Sequence, residues 1–563
     1  MALSALAGML SDRSGAVDVA GLRAELVAVG RTDARVAKVL SFYADRLPER
    51  DRWLAAAVSL FARPVAVDAL AAIAGHEVFA GRLDGLTAAQ VRAAAGARMS
   101  GLLSWHPDGT VSAHPLVRAA FRPLALGAAD VAAEASLSDI PGAVTTREEG
   151  LRVVEAIELL LDADQWQAAD NLHSARIRGV WLDLPAVRLG QRAASAFVAT
   201  PHRRSMCADR LDPDDVGYYL NEAGRAASDA GDLATALEYT QVGAVHLWAT
   251  DDQLNLAVEL RIMAEVLAWL GRLEPAGAAV GQALILNRKR GNRPQEAWCH
   301  WSLGWLADLA GDTPASEAAF TAGDRIHHAE FPDGGHLSSS SRSGLQWVEF
   351  LARTGRTNPA LRLTQHNRQV STDHGWTGNL ARCDRVLARL SLTSGNPGEA
   401  VTRAAAATAV FRDGEFLLEL AQTLPVLADA TRVAGDLDAA HRHATEAIDL
   451  AGPRGIVPAH AAALAARARV HTARAAGQTH PARRDDNLGR ARDDADAART
   501  IGIRHGLAWQ ELDALDVYTD LDRLAGTDTP AAASATALRA RFIPPGLDPD
   551  PLATIERRPV AGY

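Results

Sequence analysis

Gly231-Asp232-Leu233-Ala234-Thr235-Ala236, Gly271-Arg272-Leu273-Glu274-Pro275-Ala276 and Gly435-Asp436-Leu437-Asp438-Ala439-Ala440 are one motif written three times. Between them come Gly311-Asp312-Thr313, Gly355-Arg356-Thr357 and Gly395-Asn396-Pro397. Successive glycines lie 40, 40, 44, 40 and 40 residues apart, and a weaker break at Gly477 follows after 42. A fixed period of this size marks stacked supersecondary units. Glycine takes the left-handed conformation that ends one helix, and the polar residue beside it helps to start the next. A small residue then falls where the second helix crosses the first: Ala236, Ala276, Ala400 and Ala440, with Ser316 or Ala318 in the third unit. The flanking segments carry apolar residues at helical spacing, as in Leu256, Leu260, Met263, Leu267 and Leu270. One such hairpin cannot bury its apolar faces, but a stack of them can. The expected fold is therefore all-α, with a right-handed solenoid of helical hairpins over residues 216–526. The single 44-residue interval is assigned to an insertion at Ser338-Ser339-Ser340-Ser341.

The bulk properties agree with that reading. The chain has 563 residues, 48% of them apolar and 22% charged, enough to bury a large core. Alanine is abundant and β-branched residues rarely cluster, which favours closely packed helices. The net charge is −10, from 58 basic and 68 acidic residues, so the whole chain lacks the basic footprint of a nucleic-acid binder. Cys207, Cys299 and Cys383 stand 92 and 84 residues apart, with no CxxC pair and no disulfide framework. A reducing cytoplasm is the expected compartment. No apolar run approaches the roughly 18–20 residues of a membrane span, and Met1 to Ser11 lacks the basic start of a signal peptide.

Residues 49–126 read differently. Glu49 to Phe61 predicts a helix broken by Pro64, and Val67 to Ala74 a second. Thr87 caps a third, Ala88 to Met99. Leu102-Leu103-Ser104-Trp105-His106, the turn Pro107-Asp108-Gly109 and Thr110-Val111-Ser112-Ala113 then predict one small β-hairpin. Three helices and a hairpin are the winged-helix order. His114-Pro115-Leu116-Val117-Arg118 opens another helix. Further on, Leu159 to Ile177 reads as a degenerate repeat without its glycine, with Trp166-Gln167-Ala168-Ala169 at the turn and the start of its second helix.

Two resemblances follow. The Gly-Asp-Leu…Ala…Ala pattern over roughly residues 216–526 resembles the tetratricopeptide repeat, whose usual length is about 34 residues. A period near 40 implies helices longer by almost a turn each, and such repeats resemble the sensor arms of STAND-class signalling NTPases. Tyr43-Ala44-Asp45-Arg46-Leu47-Pro48, Ser59-Leu60-Phe61, Gly101-Leu102-Leu103 and His114-Pro115-Leu116-Val117-Arg118 are similar to the winged-helix domain of NB-ARC-type STAND proteins, and residues 2–46 to the helical domain before it. The resemblance implies that His114 matches the histidine of a Met-His-Asp-like motif that contacts the β-phosphate of ADP. Ala113 and Pro115 depart from that motif on both sides. G-x-x-x-x-G-K-[ST], the loop that cradles nucleotide phosphates, does not occur, nor does a convincing acidic metal-holding strand. ADP or ATP is thus expected only if an NTPase domain is supplied elsewhere. No cofactor and no metal are otherwise expected.

The resulting organisation is a helical adaptor at 1–46, a winged-helix-like domain at 47–128, a linker at 129–146 and degenerate helical repeats at 147–215. The repeats proper follow at 216–526, then a flexible Pro-rich tail at 527–563, with room for one helix at Ala532–Arg541. Trp298, Trp301 and Trp305 share one helix face and read as core between repeats, although a ligand groove is the sharper alternative. His327, His328 and His336 flank a Phe-Pro-Asp-Gly-Gly loop and read as solvated side chains, not as a converging metal set. Arg92 and Arg98 are the cations of the would-be DNA-reading helix, which is otherwise mostly alanine, glycine and valine. No G-x-S-x-G, H-E-x-x-H or G-x-G-x-x-G motif is present. The expected function is a non-catalytic sensor or interaction scaffold that recognises a protein, or a small effector, on the superhelix surface. The alternatives are a transcriptional regulator with a DNA-binding winged helix, and a nucleotide-binding STAND ATPase. Neither nucleic acid nor membrane is an expected partner, and the oligomeric state is left open.

Overall fold

The computed structural model describes residues 47–99, 101–140, 142–330, 342–527, 529–544 and 547–552. These contain 26 α-helices and one three-stranded sheet, in two compact units that divide between Arg178 and Gly179. The helical adaptor expected at 1–46, the Ser338–Ser341 insertion, His336 and the end of the tail lie outside the described residues.

The first unit opens with α1 (Glu49–Ser59), β1 (Val65–Ala66) and α2 (Val67–Ala74). Next come α3 (Ala88–Ala93), β2 (Leu103–Trp105), β3 (Thr110–Ala113) and α4 (Pro115–Phe121). Thr87 accepts from the Gln90 amide while the Gln90 side chain accepts from the Thr87 amide, a reciprocal cap that starts α3. Beyond Ala93 the helix widens, with the Met99 amide reaching back to the Ala94 carbonyl, five residues away. Gly109 supplies φ 82° for the wing turn, and the Asp108 carboxylate accepts from the Thr110 amide and hydroxyl. The expected single hairpin is part of a larger sheet in the order β1-β3-β2, Val65 pairing with Val111. At two residues, β1 is too short to leave a periodic signal. The core gathers Leu70, Phe79, Leu83, Val91, Met99, Val111 and Phe121.

Two boundaries are corrected. The supposed linker contains α5 (Ala129–Leu137), whose Ala129 and Ala132 are fully buried in the winged-helix core. Its buried face is mostly alanine, with Val131 half-buried beside it, so the sequence announces that face only weakly. The region expected at 147–215 is also split. α6 (Arg147–Asp162) and α7 (Trp166–Arg176) form a hairpin of the first unit, with Asp164 at φ 61° in place of the missing glycine. α8 (Val180–Asp183), α9 (Val187–Val198) and α10 (Pro201–Arg210) belong to the second unit.

The second unit is a solenoid of helical hairpins. Its pairs run α11 (Pro213–Asp229) with α12 (Leu233–Ala249), α13 (Gln253–Trp269) with α14 (Leu273–Arg290), and α15 (Arg293–Leu309) with α16 (Thr313–Glu330). Then come α17 (Arg342–Arg353) with α18 (Thr357–Asp373), α19 (Thr377–Thr393) with α20 (Pro397–Asp413), and α21 (Leu417–Val433) with α22 (Leu437–Arg454). α23 (Val457–Ala476) with α24 (Pro481–His505) and α25 (Ala508–Ala525) with α26 (Ala531–Phe542) complete the array. The six anchor glycines have φ of 70–95°, whereas Gly477, the weak break, stays right-handed at −87°. Ala236, Ala276, Ala400 and Ala440 are fully buried at the crossings. In the third pair Ser316 fills that place, donating its hydroxyl to the Gly304 carbonyl at 2.8 Å.

The expected flexible tail is corrected over its described part. α26 ends on Phe542, which is fully buried against Trp509, and the Thr313 hydroxyl donates to the Phe542 carbonyl. Arg362 pairs with Asp550 at 2.9 Å, and Leu552 is buried in the main solenoid core. Prolines forbid continued helix there but leave extended chain free to dock through scattered apolar anchors.

Candidate interaction surface

The first helix of successive pairs carries a network of charges. Glu349 and Arg353, four residues apart on α17, share one face. Arg353 lies 3.1 Å from Asp308 of α15, and Arg385 of α19 lies 3.2 Å from Glu349. Arg385 also pairs with Glu419 of α21, which accepts from Arg382 Nε at 2.8 Å. Arg469 of α23 grips Asp429 of α21 through two bonds of 2.9 and 2.6 Å. Trp509 of α25 donates Nε1 to Asp308 at 2.9 Å across 201 residues of sequence. Burial alone drives the Glu349 carboxyl upward, but Arg385, Arg389 and Arg353 outweigh it and hold the group below the usual carboxylate range. At Asp308 burial prevails over Arg353 and the Trp509 bond, so its affinity for a proton is raised. Each of these carboxylates already has a guanidinium partner. The network therefore ties helices together and leaves little free charge for an incoming ligand.

A cleft of about 470 Å³ opens where α18, α19 and the start of α20 meet. Leu387 and Leu390 are buried in its floor and Leu361 is half-buried beside them. Arg368, Asn396 and Arg403 stand among its polar walls. Arg403 is held by Asp384 at 3.1 Å and Glu399 at 2.8 Å, while Arg368 lies 3.6 Å from Asp384. Two arginines against two carboxylates make the cleft near-neutral, with an apolar base and fixed polar walls. That combination suits a short amphipathic segment better than a bare anion.

The residues singled out from sequence are dispersed. His114 is exposed at the N-cap of α4, where its Nδ1 accepts from the Leu116 amide at 3.2 Å. Trp301 and Trp305 are buried in the solenoid core, and Trp305 meets Trp269 of the preceding pair at 4.8 Å. Trp301 donates Nε1 to Asp324 at 3.0 Å, and Trp298 lies edge-on to Trp301 with Arg261 over its ring. His327 is buried beside Trp301, whereas His328 is exposed. Among the described residues no group of three His, Cys, Asp or Glu is placed to hold a metal ion. Cys207, Cys299 and Cys383 are buried and unbridged. Arg92 is exposed on α3. Neither the charge network nor the cleft was singled out from sequence. The only available signal was the recurrence of charge on first helices, as at Glu265, Glu349, Arg389, Asp429 and Arg469.

None of the described helices is long and apolar enough to cross a membrane. No family model matches the sequence, and no curated protein matches it. Among solved structures the chain is similar to a signal transduction ATPase with numerous domains (STAND) carrying a tetratricopeptide repeat sensor, from Pyrococcus horikoshii. That match has 13% identity and a TM-score of 0.35 and covers 91% of this chain. The chain spans 65% of the length of that protein. It is also similar to a Rap protein complexed with competence and sporulation factor (13% identity, TM-score 0.28, covering 67% of this chain and 99% of that one). Aspartyl phosphate phosphatase F from Bacillus subtilis matches at 12% identity and a TM-score of 0.29, over 71% of this chain and 96% of that one.

Proposed function

We propose that the chain is a non-catalytic interaction scaffold whose solenoid recognises a segment of another protein. The observation that carries this reading is the cleft between α18, α19 and α20, with Leu361, Leu387 and Leu390 at its base and Arg368, Asn396 and Arg403 in its walls. Helical grooves of this kind take an apolar side chain into the floor and fix its flanks by polar contacts. A winged helix followed in the chain by a hairpin solenoid supports the finer reading, the regulatory arm of a STAND-type signalling protein. In that reading the nucleotide-binding core acts from elsewhere, and His114 keeps only its capping role. The DNA-binding alternative finds less support, because the wing carries no Lys or Arg and places the carboxylate of Asp108 at its tip.

The test is a peptide-display selection on the purified chain, followed by calorimetric titration of the enriched sequences. Binding is expected to weaken at least tenfold in Leu361→Arg and in Arg403→Gln, with thermal unfolding of each variant showing that it remains folded. No enriched sequence, or equal binding by both variants, would sink the reading. Titration with ADP and ATP is expected to give no heat. Nucleotide binding that disappears in His114→Ala would replace the scaffold with a nucleotide-dependent switch.

A further inference from the structure

The outer helices carry a surface that neither the core nor the cleft explains. Val245 and Trp248, three residues apart on one face of α12, are 70% and 76% exposed. Ile285 on α14, 67% exposed, stands 40 residues after Val245, at the same place in the next repeat. α12 and α14 both pack against α13, so the three side chains recur along one flank of neighbouring hairpins. At the end of α14 the exposed run Arg288-Lys289-Arg290 follows Ile285. Position 288 is in turn the repeat equivalent of Trp248.

The charges there do not all cancel. Arg288 and Arg293 are taken by Glu296, at 2.9 and 2.6 Å. Asp251 is engaged by Gln253, and Asp252 caps α13 through Asn255. Lys289 and Arg290 are exposed, and neither enters an ion pair among the described residues. A helix C-terminus accounts for some cationic preference. It does not account for an indole and two β-branched side chains left in water beside those cations. Large apolar groups exposed together mark an interaction site.

We infer that Val245, Trp248 and Ile285, with Lys289 and Arg290, form a docking surface for an acidic amphipathic helix of a partner protein. Charge complementarity selects this occupant. The four cations Arg288, Lys289, Arg290 and Arg293 against the three carboxylates Asp251, Asp252 and Glu296 leave a local excess of one positive charge on a chain of net charge −10. With the two exposed cations Lys289 and Arg290 outside any ion pair among the described residues, this excess attracts a short acidic segment at close range. Extended polyanions, such as nucleic acid or an anionic bilayer, also meet the repulsion of the rest of the chain. An amphipathic helix offers leucine-type anchors at i, i+3 or i+4 and i+7 for the apolar row, and its flanking carboxylates reach the cations.

The probe is a set of synthetic helical peptides with leucines in one stripe and glutamates beside it. Matched peptides with lysine for glutamate, phosphatidylserine vesicles and a single-stranded oligonucleotide are run in parallel against the full chain. The glutamate peptides are expected to bind, with affinity falling at least tenfold in Trp248→Ser and in Lys289→Glu/Arg290→Glu. They are also expected to protect Lys289, one of only two lysines in the sequence, from succinimidyl ester labelling read by mass spectrometry. All the changed side chains are exposed, so thermal unfolding is expected to stay in place. Leu361→Arg is expected to leave this binding unchanged, which separates failure here from failure of the cleft. Equal binding of glutamate and lysine peptides, absence of peptide binding, preference for vesicles or oligonucleotide, or Lys289 already protected in the free chain would each overturn the assignment.

Discussion

At the scale of single residues, two positions expose how tightly the hairpins are made. Glu259 of α13 is fully buried, accepts from Asn221 Nδ2 at 2.7 Å, and faces Gly243 of α12 so closely that a Cβ there would lie 2.9 Å from its Oε1. Burial pushes its carboxyl up from 4.5 to about 8, against the Asn221 bond and Arg261. The folded chain therefore keeps the proton up to about pH 8, while the unfolded carboxyl releases it near 4.5. Stability is complete below the lower value and declines as pH rises towards the upper one. Glu259→Gln is expected to match the wild type near pH 4 and to exceed it at pH 9, by on the order of 4 kcal/mol. Chemical denaturation at the two pH values measures the difference, and a pH-independent gap would refute the protonated state. Gly311 makes a second case. It sits at φ 72°, and an added Cβ would come within 2.4 Å of Phe542 and 2.7 Å of Ala508. Gly395 has φ 73° and open space around it. Gly395→Ala should cost about 1 kcal/mol of left-handed strain. Gly311→Ala should cost about 2–4 kcal/mol, because overpacking adds to the same strain. Equal midpoints in urea would contradict the contact.

At the scale of elements, the charge network sets how neighbouring first helices register. Buried ion pairs contribute modest net stability, yet stranding one partner is costly. Arg385→Leu leaves both Glu349 and Glu419 short of a guanidinium, and a loss of about 3–5 kcal/mol is expected. Arg385→Leu/Glu419→Leu should recover part of that loss, and a double-mutant cycle in urea reads the coupling. Purely additive losses would mean that the pair does not act as a unit. The hairpins themselves were legible in sequence because Gly231 to Gly435 repeat at a helical-hairpin period and the crossing alanines follow at fixed offsets. The capping pair Thr87 and Gln90 and the wing turn at Asp108-Gly109 were legible for a similar reason, since they act over a few residues. The network was not. Asp308, Arg385 and Trp509 each read as an ordinary residue of an amphipathic helix, and only the winding of the array brings Asp308 and Trp509 together. The cleft was hidden likewise, since Leu361, Leu390 and Arg403 come from three helices. Asp251 and Glu415 take left-handed turns with φ of 57°, and these turns carry no glycine, so the glycine period does not mark them.

At the scale of the solenoid, the array departs from the one-dimensional behaviour of open repeat stacks. In such stacks each repeat touches only its neighbours, and stability is a sum of local terms. Here the turn at Gly231 lies against Leu417 and Arg454, and the turn at Gly271 against Val457 and His505. Gly311 lies against Ala508 and Phe542, and His505 Nδ1 is 3.1 Å from the Gly271 carbonyl. Repeats nearly 200 residues apart thus share surface, and the segment after Gly526 completes it through Phe542, Asp550 and Leu552. Such closure couples early and late repeats, so that opening one end must break contacts at the other. Removing residues 527–563 takes away the Phe542 ring over Gly311 and the Thr313, Arg356 and Arg362 partners. Hydrogen exchange read by mass spectrometry is expected to show faster exchange in α15, α16 and α18, far from the cut in sequence, with α20 unchanged. The urea transition of the solenoid is expected to broaden as its cooperativity falls. Exchange that rises only in α25, beside the truncation, would mean that the array opens from its end like an ordinary stack.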